Sequence, residues 1–322
     1  MEFGVLVPQG WRLDLTGVEG DRAKWETFTR VASQLDRSGW DSLWVYDHFH
    51  TFPRKEIEAT FEAWTMMATL AQITERARIG QLVNCAQYRH PSYLAKIAAC
   101  VDVASNGRLD VGLGSGWYEE EFGAFGYDFL TTGRRLKRLD ETCEILRRMW
   151  RDPLSSFEGE HFTIREAVCE PKPLQRPGPP ICIGGSGRRV LLNIVARHAD
   201  VWNYLGSLED FPETLEVLKG HCRDVGRDFE EIRVTIAMSA ICHDTDDELD
   251  LFFSRIEPQG HDRRRVMEIS RCRGDAGQCA ETLDQWRSQG ADGFVFYFHD
   301  IASFGEGDSQ AEVMQSRVVP QL

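Results

Sequence analysis

Short apolar runs alternate with amphipathic stretches along all 322 residues, and this alternation most limits what the chain can fold into. Eight runs read as strands, at residues 3–8, 42–46, 78–84, 108–113, 180–184, 200–204, 231–240 and 293–298. They have strand length and carry many β-branched and aromatic residues. Helical spacing fills the gaps at 24–38, 61–74, 92–104, 134–150, 188–197, 208–225 and 276–289, with further stretches at 246–253 and 310–317. Eight strands, each followed by a helix, predict an α/β chain of the (β/α)8 TIM-barrel type. The competing architecture is an open doubly wound sheet. That fold normally carries a phosphate loop after its first strand, and Pro8-Gln9-Gly10-Trp11-Arg12 has no such fingerprint.

Three segments exceed the minimal repeat. Residues 116–133 form an aromatic loop after the fourth strand, and 257–274 a mixed, basic loop before the last helix. Within 152–173, the run from Phe157 to Thr163 reads as a hairpin with its turn at Glu158-Gly159. No Pro/Gly/Ser linker or short repeat divides the chain, so all three are expected to be insertions on one barrel domain spanning 1–322.

The balance of 37 basic against 51 acidic residues gives a net charge of −14. Bulk binding to nucleic acid or an anionic membrane is therefore disfavoured, while a local basic patch can still serve one anion. Nine scattered cysteines include no C-x-x-C pair, and Cys272 and Cys279 have no companion histidines at zinc-site spacing. No metal is expected, and the thiols read as reduced core residues. The opening run Met1-Glu2-Phe3-Gly4-Val5-Leu6-Val7 looks like a strand rather than a signal peptide, so the expected location is cytoplasmic.

Barrel chemistry sits at the C-terminal ends of the strands. After the first come Gln9, Gly10 and Trp11; after the second, Asp47, His48 and His50; after the third, Asn84. The fourth runs into Gly112-Leu113-Gly114-Ser115-Gly116-Trp117-Tyr118. Glycines at every second position leave a bare backbone against which a flat ring can lie, with Trp117 and Tyr118 as walls. The fifth ends in Gly184-Gly185-Ser186-Gly187-Arg188, which reads as opening directly into a helix. Free amides, the helix dipole, a hydroxyl and a cation there make an anion site, although a plain βα turn has a similar composition. His48 is the better proton carrier, because histidine titrates near neutral pH, and His50 lies further out along the loop. Asn84 either contacts a heterocycle or caps the third helix before Pro91. Trp11, Trp44 and Trp117 either shape a pocket or pack in the core, and mid-strand Trp44 reads as core.

Taken in order, these strand ends resemble the bacterial luciferase-like monooxygenase superfamily, within it the deazaflavin-dependent oxidoreductases that use coenzyme F420. The carriers are Phe3 to Gln9, Asp41 to Phe49, Tyr88 to Lys96, Gly107 to Tyr118, Phe157-Glu158-Gly159, Pro171 to Gln175, Pro180 to Gly187 and Ala199 to Asn203. The resemblance implies a luciferase-like barrel, a non-prolyl cis peptide within residues 81–84, and a homodimer. By similarity, Asp47 would contact the ring system and His48 would sit near the reactive carbon. Asn84, Ser115 and Gly116 would line the ring and ribityl chain, and Gly184, Gly185, Ser186, Gly187 and Arg188 would hold the phosphate. Trp11, His50, Trp117 and Tyr118 would shape the substrate pocket.

One departure stands out. The sugar-phosphate dehydrogenase branch places a glutamate where this chain has Trp117, so a more apolar substrate is expected. The expected activity is hydride transfer between F420 and a small organic substrate, with reduction of an activated C=C or C=N bond favoured. Two alternatives stand beside it: an FMN-dependent monooxygenase served by a reductase partner, and a non-catalytic flavin- or deazaflavin-binding protein. The oligoglutamate tail of F420 needs local cations, for which Arg134, Arg135, Lys137, Arg138, Arg188 and Arg189 are candidates.

Overall fold

In the computed structural model, which describes all residues from Met1 to Leu322, the chain is an α/β protein of the (β/α)8 barrel class. Its eight barrel strands are Glu2–Leu6, Ser42–Val45, Arg78–Gln81, Leu109–Gly114, Ile181–Gly184, Val201–Tyr204, Arg233–Cys242 and Gly293–Tyr297, each within a few residues of its predicted place. Two compact units divide the chain: Met1–Glu62 with Thr235–Leu322, and Ala63–Val234.

In the first unit, Glu2–Leu6 lies parallel between Ser42–Val45 and Gly293–Tyr297, and the latter also pairs with the seventh strand. Period-two alternation sorts the last strand's side chains. Phe294, Phe296 and the following Phe298 stack in series, and Trp40 packs edge-on against Phe296 and Phe298. Tyr297 and His299 fall on the opposite parity. The helix Asp21–Ser38 buries Phe28, Val31, Ala32 and Leu35, the helical i, i+3, i+4, i+7 stripe, and Gly39 ends it in the left-handed region at φ 109°.

In the second unit, Leu109–Gly114 lies parallel between Arg78–Gln81 and Ile181–Gly184, and Val201–Tyr204 follows on the far side. The start of the fourth strand is tied down by charge. Arg78 grips the nearly buried Asp110 with two hydrogen bonds of 2.7 and 2.8 Å. Gln175 donates to Asp102 and to the Leu109 carbonyl, fixing the Pro171–Gln175 loop beside it.

The insertions are more ordered than expected. Helix Glu119–Ala124 lies within 116–133, and 257–274 contains helix Arg263–Ile269 and strand Cys272–Gly274, paired to the end of the seventh strand. The hairpin forms from Ser155–Glu158 and Thr163–Ala167. Its turn is not at Glu158-Gly159: Glu158 pairs with Thr163, so residues 159–162 make the loop. The cause lies outside the hairpin. The Glu141 carboxylate accepts the backbone N–H groups of Glu160, His161 and Phe162 at 2.8–3.0 Å and holds a four-residue loop around itself.

Candidate active site

Within the first unit, Gln9 and Asp14 order the turn after the first strand. The Gln9 side chain donates to the Tyr46 and Phe61 carbonyls at 2.9 and 2.8 Å and accepts the Tyr46 N–H at 2.8 Å. Asp14 accepts the N–H groups of Gln9 and Gly10 at 2.9 and 3.0 Å. This framework fixes Trp11, whose ring lies face to face with His48, centroids 4.1 Å apart and planes 4° from parallel. Asp47 is buried, His48 half-buried, and His50 is buried with Nδ1 3.2 Å from the Thr51 carbonyl. Trp11 and His48 thus come together as a pair. Trp44, read as core, is buried and donates to Ser42.

The same unit holds residues that the sequence reading missed. The Arg12 guanidinium carbon lies 4.5 Å from the Trp11 ring centre, 5.2 Å from Phe52, 5.3 Å from Tyr297 and 5.9 Å from Tyr46. His299 packs edge-on against Tyr297 at 4.6 Å and against His261 at 4.8 Å. Burial pushes the Tyr46 hydroxyl up to about 12 despite the pull of Arg12, and raises Tyr297 well above its usual value. Burial, with the charges of Arg54 and Arg12, brings His261 down to about 4. Burial, His261 and Arg12 bring His299 well below its ordinary range. A signal for this cluster was present in Phe294-Val-Phe-Tyr-Phe-His299: two polar rings alternate with phenylalanines at the end of the eighth strand.

In the second unit, the peptide between Leu82 and Val83 is cis, inside the expected window of 81–84. A two-residue strand, Asn84–Cys85, follows and pairs with Leu113 and Gly114. The glycine run meets the protein's own chain closely. A Cβ on Gly112 would land on the Gln81 carbonyl oxygen, and one on Gly114 would meet Val83 Cγ2 at 2.6 Å. On Gly184 it would meet Val83 Cγ1 at 3.1 Å, and on Gly116, Cys85 and Phe122 at 2.8 Å. The bare backbone at Gly112, Gly114 and Gly184 therefore makes room for the irregular third strand.

Asn84 is completely buried. Its Oδ1 accepts from Trp64 Nε1 and Arg89 Nη1, each at 3.0 Å, which orients the amide and leaves Nδ2 with no partner in the protein. It does not cap the third helix: His90 does, its side chain accepting the Ser92 N–H, with Pro91 at the first helical position. Ser115 and Gly116 are half-buried and follow Gly114, the strand partner of Cys85. Trp117 is 57% exposed and stacked on Tyr118 at 5.1 Å.

The anion-site expectation needs correction at Gly184–Arg188. The helix after the fifth strand begins at Leu191, so these residues form a turn and not a helix N-terminus. Gly185 N–H is spent on the Asn203 carbonyl, and Arg188 pairs with Glu213 at 2.8 Å and Asp210 at 3.7 Å. The N–H groups of Ser186, Gly187 and Arg188 donate to no backbone carbonyl. Three successive unspent donors of this kind suit an anion such as phosphate. The basic run in helix Thr132–Arg151 is partly committed: Arg135 lies 4.0 Å over the Phe129 ring and Arg138 4.9 Å over Phe162, while Lys137 pairs with Asp140.

Residues 1–254 match the luciferase-like monooxygenase family. The chain belongs to that family. Among solved structures, an F420-dependent secondary alcohol dehydrogenase in complex with an F420–acetone adduct superposes with TM-score 0.79 at 17% identity, covering 99% of this chain and 98% of that one. The oxygenating constituent of the Pseudomonas putida 3,6-diketocamphane monooxygenase, in complex with FMN, gives 0.74 at 16%, covering 100% and 99%. At such identities the likeness shows the fold alone. The Mycobacterium tuberculosis phthiodiolone/phenolphthiodiolone dimycocerosates ketoreductase is 29% identical over 211 residues, 59% of this chain and 54% of that protein. A luciferase-like chain of this kind is an oxidoreductase by family, and no helix in it is long and apolar enough to cross a membrane.

Proposed function

We propose that this luciferase-like protein exchanges a hydride between coenzyme F420 and a small organic substrate, favouring reduction of an activated C=C or C=N bond. The observation that carries the reading is the Trp11–His48 stack: an imidazole held flat at a strand end serves proton transfer, and a passive binder has no need of it. Two features of the second unit fit the cofactor. The unspent Asn84 amide is a donor for a ring carbonyl or hydroxyl, and the free amides of Ser186, Gly187 and Arg188 suit a phosphate. When bound, the deazaflavin supplies two-electron hydride chemistry and little one-electron reactivity toward oxygen. The chain's own work is then orientation, exclusion of water and one proton at His48, with Asp47 buried beside it in sequence. Ser115, Gly116, Gly184 and Gly185 shape the backbone around Asn84 and the fifth strand end, and the exposed Trp117–Tyr118 pair offers substrate an apolar face.

FMN dependence is the second reading, and the commitment of Arg135 and Arg138 to phenylalanine rings favours it, because FMN has no oligoglutamate tail to neutralise. That enzyme would need oxygen and a reductase partner. Absorbance titration of the protein with F420 and with FMN, followed by oxidation of reduced F420 against a panel of enones and imines, separates the readings. F420 binding with turnover supports the proposal. Tight FMN binding without deazaflavin binding overturns it, and stoichiometric binding without turnover on any substrate marks a non-catalytic protein.

A further inference from the structure

Arg12 is a half-buried cation with no carboxylate within ion-pair distance. The nearby carboxylates are engaged elsewhere. Asp14 holds the Gln9 and Gly10 amides, while Asp300 takes the Gln310 N–H and lies 3.9 Å from Arg255. What surrounds the guanidinium is aromatic: Trp11, Phe52, Tyr297 and Tyr46. The Tyr46 hydroxyl accepts from the guanidinium, but ring faces and one hydroxyl leave its charge without a counter-ion and its Nε without an acceptor. Four side-chain nitrogens of this cluster are buried and have no partner: Trp11 Nε1, Arg12 Nε, His261 Nε2 and His299 Nε2. His299 Nδ1 lies 3.3 Å from the Tyr297 hydroxyl, so its tautomer can place the proton on the unpaired Nε2. Buried polar groups are rarely left unmatched, and a cluster of them around one unneutralised charge is the mark of a ligand's place.

We propose that Arg12, His261 and His299 form a subsite for a single carboxylate group, so that this protein's substrate is an organic carboxylate monoanion. The substrate clause rests on the oxidoreductase reading above, whereas the subsite itself does not. The charge count selects the ligand. Both histidines resist protonation, and Arg54, whose charge reaches His261, is paired with Glu56, so the subsite carries one unbalanced fixed positive charge and several neutral donors. A carboxylate balances that charge and accepts in the plane of the guanidinium. A phosphate dianion would leave a surplus negative charge among aromatic rings.

The test is calorimetric titration of the cofactor-free protein with benzoate, benzamide and inorganic phosphate. Benzoate is expected to bind at least about tenfold more tightly than its neutral isostere benzamide. Arg12→Gln should abolish that preference, and Arg12→Lys, which keeps the charge but not the planar fork, should retain part of it. Equal affinities for benzoate and benzamide, no benzoate binding, or an undiminished preference in Arg12→Gln would each overturn the proposal. Tighter binding of phosphate than of benzoate would overturn the monoanion assignment. The wild-type comparison decides the matter even where Arg12→Gln fails to fold. Failure of the protein to bind either F420 or FMN removes the oxidoreductase reading and leaves the carboxylate result standing.

Discussion

Trp11 and His48 lie face to face with their ring centroids 4.1 Å apart, and the indole belongs to a turn locked by Gln9 and Asp14. The imidazole plane is therefore set by the first strand's turn as well as by its own backbone. Loss of a positioned proton carrier typically lowers turnover by about 10²–10⁴-fold. His48→Ala is expected to fall in that range with cofactor affinity nearly unchanged. Trp11→Ala should lower kcat by a smaller factor, about tenfold, by freeing the ring, and Trp11→Phe should recover most of it because a flat neighbour remains. Single-turnover rates with measured cofactor affinities check this. Unchanged turnover in His48→Ala would remove the histidine from the mechanism.

The Val83 side chain occupies the space left by Gly114 and Gly184. Gly114→Ala would place a methyl group 2.6 Å from Val83 Cγ2 and should destabilise the fold by about 1–3 kcal/mol, the usual cost of overpacking. Val83→Ala removes the opposing methyl groups, so the double variant should be more stable than the sum of the two single changes by about 1 kcal/mol or more. Gly112→Ala meets the Gln81 backbone instead, and truncating Val83 should not rescue it. Urea denaturation of wild type, the three single variants and the two double variants measures each term, and strict additivity for Gly114 with Val83 would show that the close approach carries no energy.

This pairing also shows why the strand order was legible and part of the site was not. Alternating apolar runs report burial, which local sequence encodes, so all eight strands fell near their predicted places. The glycines at 112, 114 and 184 mark a close approach, yet nothing local says that the visitor is Val83 rather than a ligand. Gly184–Arg188 resembled a helix start because the turn from Arg188 to Val190 has no breaker to announce it. The hairpin loop is set by Glu141, some twenty residues earlier in the chain. Arg12, His261 and His299 meet only through tertiary folding, although the alternation of Tyr297 and His299 with phenylalanines placed both on one face.

Asn84 is oriented by two donors on its Oδ1, Trp64 Nε1 and Arg89 Nη1, so its amide nitrogen is the free end. Asn84→Asp turns that end into an acceptor and should weaken cofactor binding more than Asn84→Ala does. The expected losses are about 100-fold and about tenfold, since a mismatched buried polar group costs more than a missing one. Trp64→Phe removes one orienting donor without touching Asn84 and should cost only a few-fold. Cofactor titration on the three variants checks the order, and an Asp variant that binds as well as wild type would assign Asn84 to structure alone.

His261 and His299 make stability depend on pH in a definite sense. Burial and the charges of Arg54 and Arg12 hold His261 near 4 in the folded protein, while the unfolded chain takes up that proton near 6.5. The unfolded state then binds more protons, so this contribution is full above about pH 6.5 and is lost as pH falls toward 4, with His299 extending the loss lower. Asp300 acts the opposite way. Burial raises it to about 6, so its contribution is full below its unfolded value of 3.8 and lost as pH rises through 6. Asp140 takes over in acid: burial works against its charge, but hydrogen bonds from His198 and Arg197 outweigh that and hold it down to about 2. Its contribution of about 2 kcal/mol is present above pH 4 and lost between 4 and 2. Denaturation free energies measured from pH 7 to pH 3 should therefore separate the groups by subtraction. Wild type minus His261→Gln should decline between pH 6.5 and 4, and wild type minus Asp140→Asn should begin to decline only below pH 4. A flat first difference would show that His261 is protonated as readily in the folded protein as in the unfolded chain, and the neutral-donor character of the Arg12 subsite would go with it.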